Sequence, residues 1–424
     1  MLRRDGMLHV PDATAMAVGG MIGGGIFSVL GVAIAFAGHL AFACFVLGAA
    51  LAAVTARSWA GVTQRAGRSG GPFDHLREQG HPQLAGLLLW LLVFGYMVAM
   101  AVYSFTFGRY AANAFHANTA VARMLSVGVI VAFLAVNMKG VTVSSLTEDL
   151  VVLTKLVILF GIAIIGIAHF STARLSPLGS SGIGGMFLGA STIFFAYEGF
   201  ELICYDRDDM HDPERTLPRS LYWSIAIVAA VYIAVTVGAQ MLVSDREIVA
   251  TKEAAFVAVG TAALGGFGRW AAIVGAVFAT GSAINATLFS TARLVRDAST
   301  SGELPEALGR ENAGLPIVAM TFIAIAGAAM AMLPGITSVI VFGSGSFLAV
   351  YAIVNYLQAR RAPTRSQRVA GWIGSVVCTA ALGDLVVELA RHDLPGLAVL
   401  VGLVIALAIG RLAFVRRRSR VVKA

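Results

Sequence analysis

The chain has 424 residues, of which 58% are hydrophobic and only 13% charged, and its mean hydropathy is +0.82. An ordinary soluble domain carries about 25% charged residues, so this composition excludes one and indicates a membrane protein. The net charge of +8 does not indicate a nucleic-acid partner, because most of the 31 Lys and Arg residues lie in alternate loops and at the C-terminal end. This asymmetry follows the positive-inside rule and predicts that both termini are cytoplasmic.

Apolar segments long enough, or nearly so, to cross about 30 Å of hydrocarbon recur along the whole chain. They predict a single polytopic membrane domain over residues 1–424. The twelve segments lie near 11–37, 39–62, 83–112, 124–138, 147–169, 185–205, 220–243, 268–292, 316–333, 336–357, 370–390 and 394–414. The fourth of these, 124–138, is short unless it extends toward Asn118.

The first segment contains an unusual glycine cluster, Gly19-Gly20-Met21-Ile22-Gly23-Gly24-Gly25. Each glycine costs roughly 1 kcal/mol relative to alanine in a helix, and freed backbone groups cost more in hydrocarbon. Close helix packing through small residues is the simpler alternative, but three consecutive glycines exceed what it needs. The cluster therefore predicts a helix that breaks at a ligand site.

The third and fifth segments carry polar groups within apolar helices. Tyr96 and Tyr103 are seven residues apart and share roughly one helix face, where packing or interfacial anchoring is the expected role rather than substrate contact. Lys155 has no carboxylate at helical spacing, so we expect its ammonium to face the interior of the helix bundle. It is either a proton carrier or a fixed charge held by carbonyl groups at a helix end.

The sixth segment is interrupted in the same way as the first. In Phe194-Phe195-Ala196-Tyr197-Glu198-Gly199-Phe200-Glu201, one glycine and two acids interrupt an apolar helix. Gly23 and Gly199 stand at corresponding places in successive units of five segments. Interruptions in that arrangement are typical of inverted-repeat transporters, whose sites lie at the membrane midplane.

The two predicted breaks together describe a site for an α-amino acid. A helix restarting after Gly25 would direct free N–H groups and a positive dipole at a carboxylate. Carbonyl groups freed around residues 19–21 and 195–198 would accept hydrogen bonds from an ammonium group. Thr280-Gly281-Ser282-Ala283-Ile284-Asn285 in the eighth segment is small and polar enough to pack near the breaks, although ordinary helix packing explains it equally well.

Three motifs resemble the amino acid–polyamine–organocation (APC) superfamily of secondary transporters. Gly24 stands where Ser or Thr is common in that superfamily. The closest likeness is to proton-coupled members with a lysine in helix five, which Leu153-Thr154-Lys155-Leu156 matches. The three motifs are the first-helix Gly19-x-x-Ile22-Gly23-Gly24-Gly25-Ile26-Phe27, the sixth-helix Phe194-Phe195-Ala196-Tyr197-x-Gly199-Phe200 with Asp212-Pro213-Glu214-Arg215-Thr216-Leu217-Pro218-Arg219 after it, and Arg293 through Gly302-Glu303-Leu304-Pro305.

The resemblance implies an all-α membrane protein with a LeuT-type fold of 12 transmembrane helices. Two inverted five-helix repeats, at about 11–170 and 185–358, would have helices 1 and 6 broken. Two further helices would follow at about 370–415.

The resemblance also implies the site residues by position. Ile22, Gly24 and Gly25 would hold the substrate carboxylate, Phe195 would cover the substrate, and Lys155 would lie near the Gly19 carbonyl and Ser282. Glu198 departs from the pattern, because many relatives carry an apolar residue there. The complete sets are Gly20, Met21, Ile22, Gly23, Gly24, Gly25, Phe195, Ala196, Glu198 and Gly199 for the substrate, and Lys155, Gly19, Ser282 and Glu201 for proton coupling.

The expected function is proton-coupled import of amino acids across the inner or plasma membrane by alternating access. The proton gradient drives this cycle, so we expect no cofactor and no metal, with amino acid, protons and lipid as partners and a monomer or weak dimer as the assembly. A sodium-independent amino acid or polyamine exchanger is the alternative within transport. A membrane-embedded enzyme or receptor would need a catalytic constellation that the sequence does not offer, and a channel would need a filter.

Overall fold

The computed structural model describes residues 7–67, 71–139, 145–175, 182–251, 254–312, 314–333 and 336–421. Within these residues the chain is helical, with two isolated backbone bridges and no strand. The α-helices in chain order are α1 Val10–Met21, α2 Gly25–Ala37, α3 Ala41–Ala66, α4 Gly71–Glu78, α5 Pro82–Ala114, α6 Thr119–Met138, α7 Ser145–Ala168, α8 Gly182–Ile193, α9 Pro213–Leu242, α10 Asp245–Ala250, α11 Ala255–Thr300, α12 Ile317–Ala331, α13 Ile336–Arg361, α14 Arg365–His392 and α15 Leu394–Val421.

Each of the predicted apolar segments coincides with helix. Ten helices within the described residues are long and apolar enough to cross a membrane. This number is smaller than twelve because α2 and α3 count as one span, Gly25–Ala66, and because α12 is short. The fourth segment does extend to Asn118, whose side chain caps α6 by accepting a hydrogen bond from the Val121 N–H.

The chain before α1 pairs with the chain that precedes α9. The Leu8 N–H donates to the Asp209 carbonyl at 2.8 Å, and the His211 N–H donates to the Leu8 carbonyl at 3.0 Å. The rings of His9 and His211 stack with centroids 4.9 Å apart. These contacts join the ends of the first and sixth apolar segments on one side of the molecule.

Helix α9 tolerates a proline in its second turn because another helix compensates for it. Pro218 has no N–H and therefore leaves the Glu214 carbonyl without its intrahelical donor. The Gln64 side chain of α3 donates to that carbonyl at 2.9 Å. This contact also connects α3 to the start of α9.

The core lies where the two broken segments are enclosed by longer helices. Helices α1 and α2 pack against α9 and α8, α3 packs against both α8 and α9, and α5 packs against α6, α11 and α13. By contrast, α14 and α15 are mostly exposed, as expected for apolar helices whose outer faces contact lipid.

Candidate substrate site at two helix breaks

The first break separates α1 from α2 at Ile22, Gly23 and Gly24. The Gly23 N–H donates to the Gly20 carbonyl at 3.3 Å, and the new helix starts at Gly25. The first N–H groups of any helix have no partner within it. In this helix they lie in the buried interior, where an anion is favoured by the positive end of the helix dipole.

The second break follows α8. A 3₁₀ turn spans Phe194–Tyr197, Glu198 is extended, and a second 3₁₀ segment runs over Phe200–Asp209. Gly199 between them has a φ of 101°, a conformation that side-chain-bearing residues rarely adopt. The two breaks touch, since a Cβ atom added to Gly199 would lie 3.6 Å from the Gly20 carbonyl carbon.

Tyr232 of α9 connects the two breaks. Its buried hydroxyl lies 2.7 Å from the Met21 carbonyl oxygen and 3.1 Å from the Ala196 carbonyl oxygen. One hydroxyl proton serves only one of these acceptors at a time. The same hydroxyl would be 2.6 Å from a Cβ atom on Gly25, so it sits at the N-terminus of α2.

Tyr103 of α5 lies between the start of α2 and Glu198. A Cβ atom added to Gly24 would collide with its ring, and its hydroxyl donates to Glu198 Oε2 at 3.2 Å. The Phe195 ring lies beside it, with centroids 5.5 Å apart. An aromatic ring therefore packs against Gly24 and leaves no room for a side chain there.

Glu201 has a different set of partners. It is fully buried, its Oε1 accepts a hydrogen bond of 2.7 Å from the Tyr96 hydroxyl, and its Oε2 accepts one of 3.1 Å from the Gly199 N–H. Tyr96 and Tyr103, expected to pack or to anchor at an interface, thus bind the two buried acids of the second break. Their burial is incompatible with interfacial anchoring.

Lys155 of α7 is fully buried beside the first break. Its ammonium nitrogen lies 3.0 Å from the Gly19 carbonyl oxygen. Ser282 of α11 and Gly19 line the same cavity. Val152 and Leu156, which are neighbours of Lys155 on α7, also line it. A charge-assisted hydrogen bond from the ammonium compensates a carbonyl near the end of α1, where the helix dipole is negative.

A cavity of about 920 Å³ leads to these breaks. Gly19, Gly20 and Gly199 belong to its wall, and most of its other lining residues are apolar, such as Leu8, Met16 and Leu156. Phe195, Ala196, Glu198 and Glu201 are buried and are not among the residues that line it. The charged residues among those lining it are Asp12, Arg77, Asp206, Arg293 and Asp297.

Tyr232 is a residue of this site that the sequence did not predict. Its signal was weak, because Tyr232 is one of five hydroxyl-bearing residues in the apolar segment near 220–243. A buried tyrosine hydroxyl must nevertheless find a hydrogen-bond partner. The sequence does not say which acceptor it finds, since Met21 and Ala196 come from two other parts of the chain.

Comparison with known proteins identifies the class of molecule to which this site belongs. The model of the amino acid permease family matches residues 8–409, so the chain belongs to that family. It is a multi-pass membrane transporter.

The relatives that the chain resembles are named as different kinds of transporter. The chain is 27% identical to the inner membrane transport protein YbaT of Escherichia coli over 81% of each protein. It is 26% identical to the methylthioribose transporter of Bacillus subtilis over 69% of this chain and 67% of the relative. It is also 27% identical to human Asc-type amino acid transporter 1 over 70% of this chain and 60% of the relative.

Proposed function

We propose that the protein imports amino acids by proton symport across the inner or plasma membrane. The observation that carries this proposal is the contact between the buried Lys155 ammonium and the Gly19 carbonyl oxygen, 3.0 Å apart. An ammonium at this depth is costly unless it is paired, and here its partner belongs to the broken helix itself. The protonation of Lys155 is thereby linked to the conformation of the substrate site.

In the proposed cycle, substrate and proton bind to the same state. The carboxylate of the amino acid binds the N–H groups at Gly24 and Gly25, and its ammonium binds the Met21 and Ala196 carbonyl groups. Protonated Lys155 holds α1 in place while the substrate is bound. Loss of the proton removes the donor to Gly19, which loosens α1 and favours release.

The proposed architecture is the LeuT-type fold with two inverted repeats, at about 11–170 and 185–358, and both termini in the cytoplasm. The breaks at residues 22–24 and 198–199 are consistent with it, as is the position of α14 and α15 outside the core. With this orientation the cavity opens to the cytoplasm. Alternating access then rocks α1, α2, α3, α8 and α9 against the remaining helices and closes the cavity.

Lys155→Ala, reconstituted in sodium-free proteoliposomes, tests the role of the lysine. We expect it to abolish the dependence of uptake on external pH, because no proton then binds beside Gly19. Lys139→Ala is the control, since Lys139 is an exposed lysine at the end of α6. Uptake by Lys155→Ala that equals wild type and keeps the same pH profile would refute the coupling role.

Exchange of two amino acids is the rival mechanism, and the same vesicles distinguish it. An exchanger takes up labelled substrate only when substrate is preloaded on the opposite side. A symporter takes up substrate into empty vesicles when an inward proton gradient is imposed.

A further inference from the structure

Glu198 is a buried carboxylate without a basic partner. Its exposed fraction is 4%, and the hydrogen bond that it receives comes from the neutral Tyr103 hydroxyl. Among the residues that the structure describes, no Lys, Arg or His forms an ion pair with it. By comparison, Glu201 accepts hydrogen bonds from both Tyr96 and the Gly199 backbone.

This arrangement leaves Glu198 the less compensated of the two acids. An ionised carboxylate out of water is strongly unfavourable unless it is paired or hydrogen-bonded several times. In the empty carrier a proton can neutralise Glu198. In the loaded carrier a cationic group of the substrate can do so, with the additional gain of an ion pair in a site that excludes water.

The geometry fixes where such a cationic group would have to be. The ring of Tyr103 lies at the Gly24 end of α2, and its hydroxyl contacts Glu198. The carboxylate-binding end of the proposed site and Glu198 are therefore separated by one tyrosine ring. In an α-amino acid the ammonium adjoins the carboxylate and is served by the Met21 and Ala196 carbonyls, so a second cationic group on the side chain is the one that remains to pair with Glu198.

The wall between these two ends suits an aliphatic chain that carries a cation. Phe195 lies against Tyr103 at 5.5 Å between centroids, and the Phe347 ring lies 6.5 Å from the Phe195 ring. Aromatic faces attract ammonium and guanidinium groups and pack on methylene groups. The three rings, of Tyr103, Phe195 and Phe347, carry no positive charge that would pair with a second negative charge on the substrate.

We propose that Glu198 selects amino acids with cationic side chains, such as lysine, ornithine and arginine, by pairing with the distal positive group. The inference rests on the proposed amino acid transport and names its substrate class.

The test compares each cationic substrate with a neutral analogue of similar length. Inhibition of labelled-substrate uptake is measured with lysine against norleucine and with arginine against citrulline. The membrane potential is clamped at zero, because a potential would itself favour cationic substrates. Binding of the same four compounds to purified protein is followed by thermal shift, so that a variant that binds but does not transport still reports its selectivity.

We expect wild type to prefer each cationic compound by at least about tenfold, which corresponds to one charge-assisted hydrogen bond. Glu198→Gln should lose this preference while it still binds the neutral compounds, and Glu198→Asp should keep part of it. Glu311→Gln is the control, an acid outside the substrate site that pairs with Arg296, and it should keep the preference.

Equal affinity of wild type for cationic and neutral analogues would overturn the proposal, as would an unchanged preference in Glu198→Gln. A folded Glu198→Gln that binds none of the four compounds would also overturn it, because the acid would then be required by every substrate. If wild type transports no amino acid at all, neutral or cationic, the proposed function itself fails.

Discussion

The Tyr232 hydroxyl of α9 donates a hydrogen bond of 2.7 Å to the Met21 carbonyl at the end of α1. The Ala196 carbonyl of the second break lies 3.1 Å from the same hydroxyl. A single hydroxyl therefore lies within hydrogen-bond distance of carbonyl groups from both breaks and donates to one of them at a time. Through this contact, α9 helps to set the position of the two breaks relative to each other.

Tyr232→Phe should destabilise the protein by about 1–3 kcal/mol, because it leaves a buried carbonyl without a donor. Thermal or denaturant unfolding of the purified protein measures this loss. Tyr222→Phe is the control, since Tyr222 belongs to the same helix but is 42% exposed and should change stability by less than about 0.5 kcal/mol. Equal stability of the two variants would show that the hydroxyl bridge contributes nothing.

Gly24→Ala should reduce transport strongly, because its Cβ atom would collide with the Tyr103 ring at the start of α2. Combining it with Tyr103→Leu should restore part of the loss, so that the double variant performs better than the sum of the single effects predicts. Gly161→Ala, at a site with open space around the added carbon, should behave like wild type. Strict additivity of the two changes would contradict the predicted collision.

Much of this site was predictable from the sequence, because breaks in apolar helices have strong signals. The glycine cluster at residues 19–25 indicates where α1 ends and α2 begins, and Gly199 with its flanking acids indicates the second break. Lys155 is an isolated cation in an apolar helix, and this position alone makes it a candidate functional residue. The roles assigned to these residues remain predictions.

The partners of these residues were not predictable in the same way. Tyr103, Tyr96 and Tyr232 come from helices α5 and α9, and their contacts depend on how those helices rotate and pack around the breaks. The helical periodicity places Tyr96 and Tyr103 on one face of α5, but it does not predict which residues that face contacts. The cavity likewise depends on several segments that are distant in sequence.

The motif at residues 302–305 anchors the last helix. Glu303 forms a buried ion pair with Arg411 of α15, its backbone carbonyl accepts from Trp90 at 2.9 Å, and Arg77 lies 3.4 Å from its carboxylate. Glu303→Gln leaves the buried Arg411 without its counter-charge and should cost about 3–5 kcal/mol of stability.

Two further variants check this assignment by unfolding measurements. Arg411→Met combined with Glu303→Gln removes both charges and should recover much of the loss. Glu311→Gln breaks only a more exposed ion pair with Arg296 and should cost at most about 1 kcal/mol. A loss in Glu303→Gln no larger than that in Glu311→Gln would contradict a structural role for the buried pair.

Helix α4 packs against α3 and α5, and His75 makes this packing sensitive to pH. Burial lowers the pKa of His75, and the nearby Arg65 and Arg361 lower the pKa further. When α4 is released from α3 and α5, the His75 side chain has an ordinary pKa of about 6.5. It then binds a proton more readily than it does in the packed state. The stabilisation is therefore fully present above pH 6.5 and is lost as the pH falls below it.

Hydrogen exchange of the α4 amides, corrected for intrinsic rates, measures this effect at pH 5.5 and 7.5. We expect lower protection at the acidic pH. In His75→Gln the protection should be the same at both values, since glutamine does not titrate. A pH-dependent loss of protection that persists in His75→Gln would assign the effect to another group.

The central claim is that the protein couples amino acid entry to protons. Uptake of a labelled amino acid panel into sodium-free proteoliposomes, with and without an inward proton gradient, tests it most directly. We expect accumulation into empty vesicles that collapses when the gradient is removed. Uptake that ignores the gradient and requires internal substrate would contradict it and would reduce Lys155 to a fixed charge that supports the broken helix.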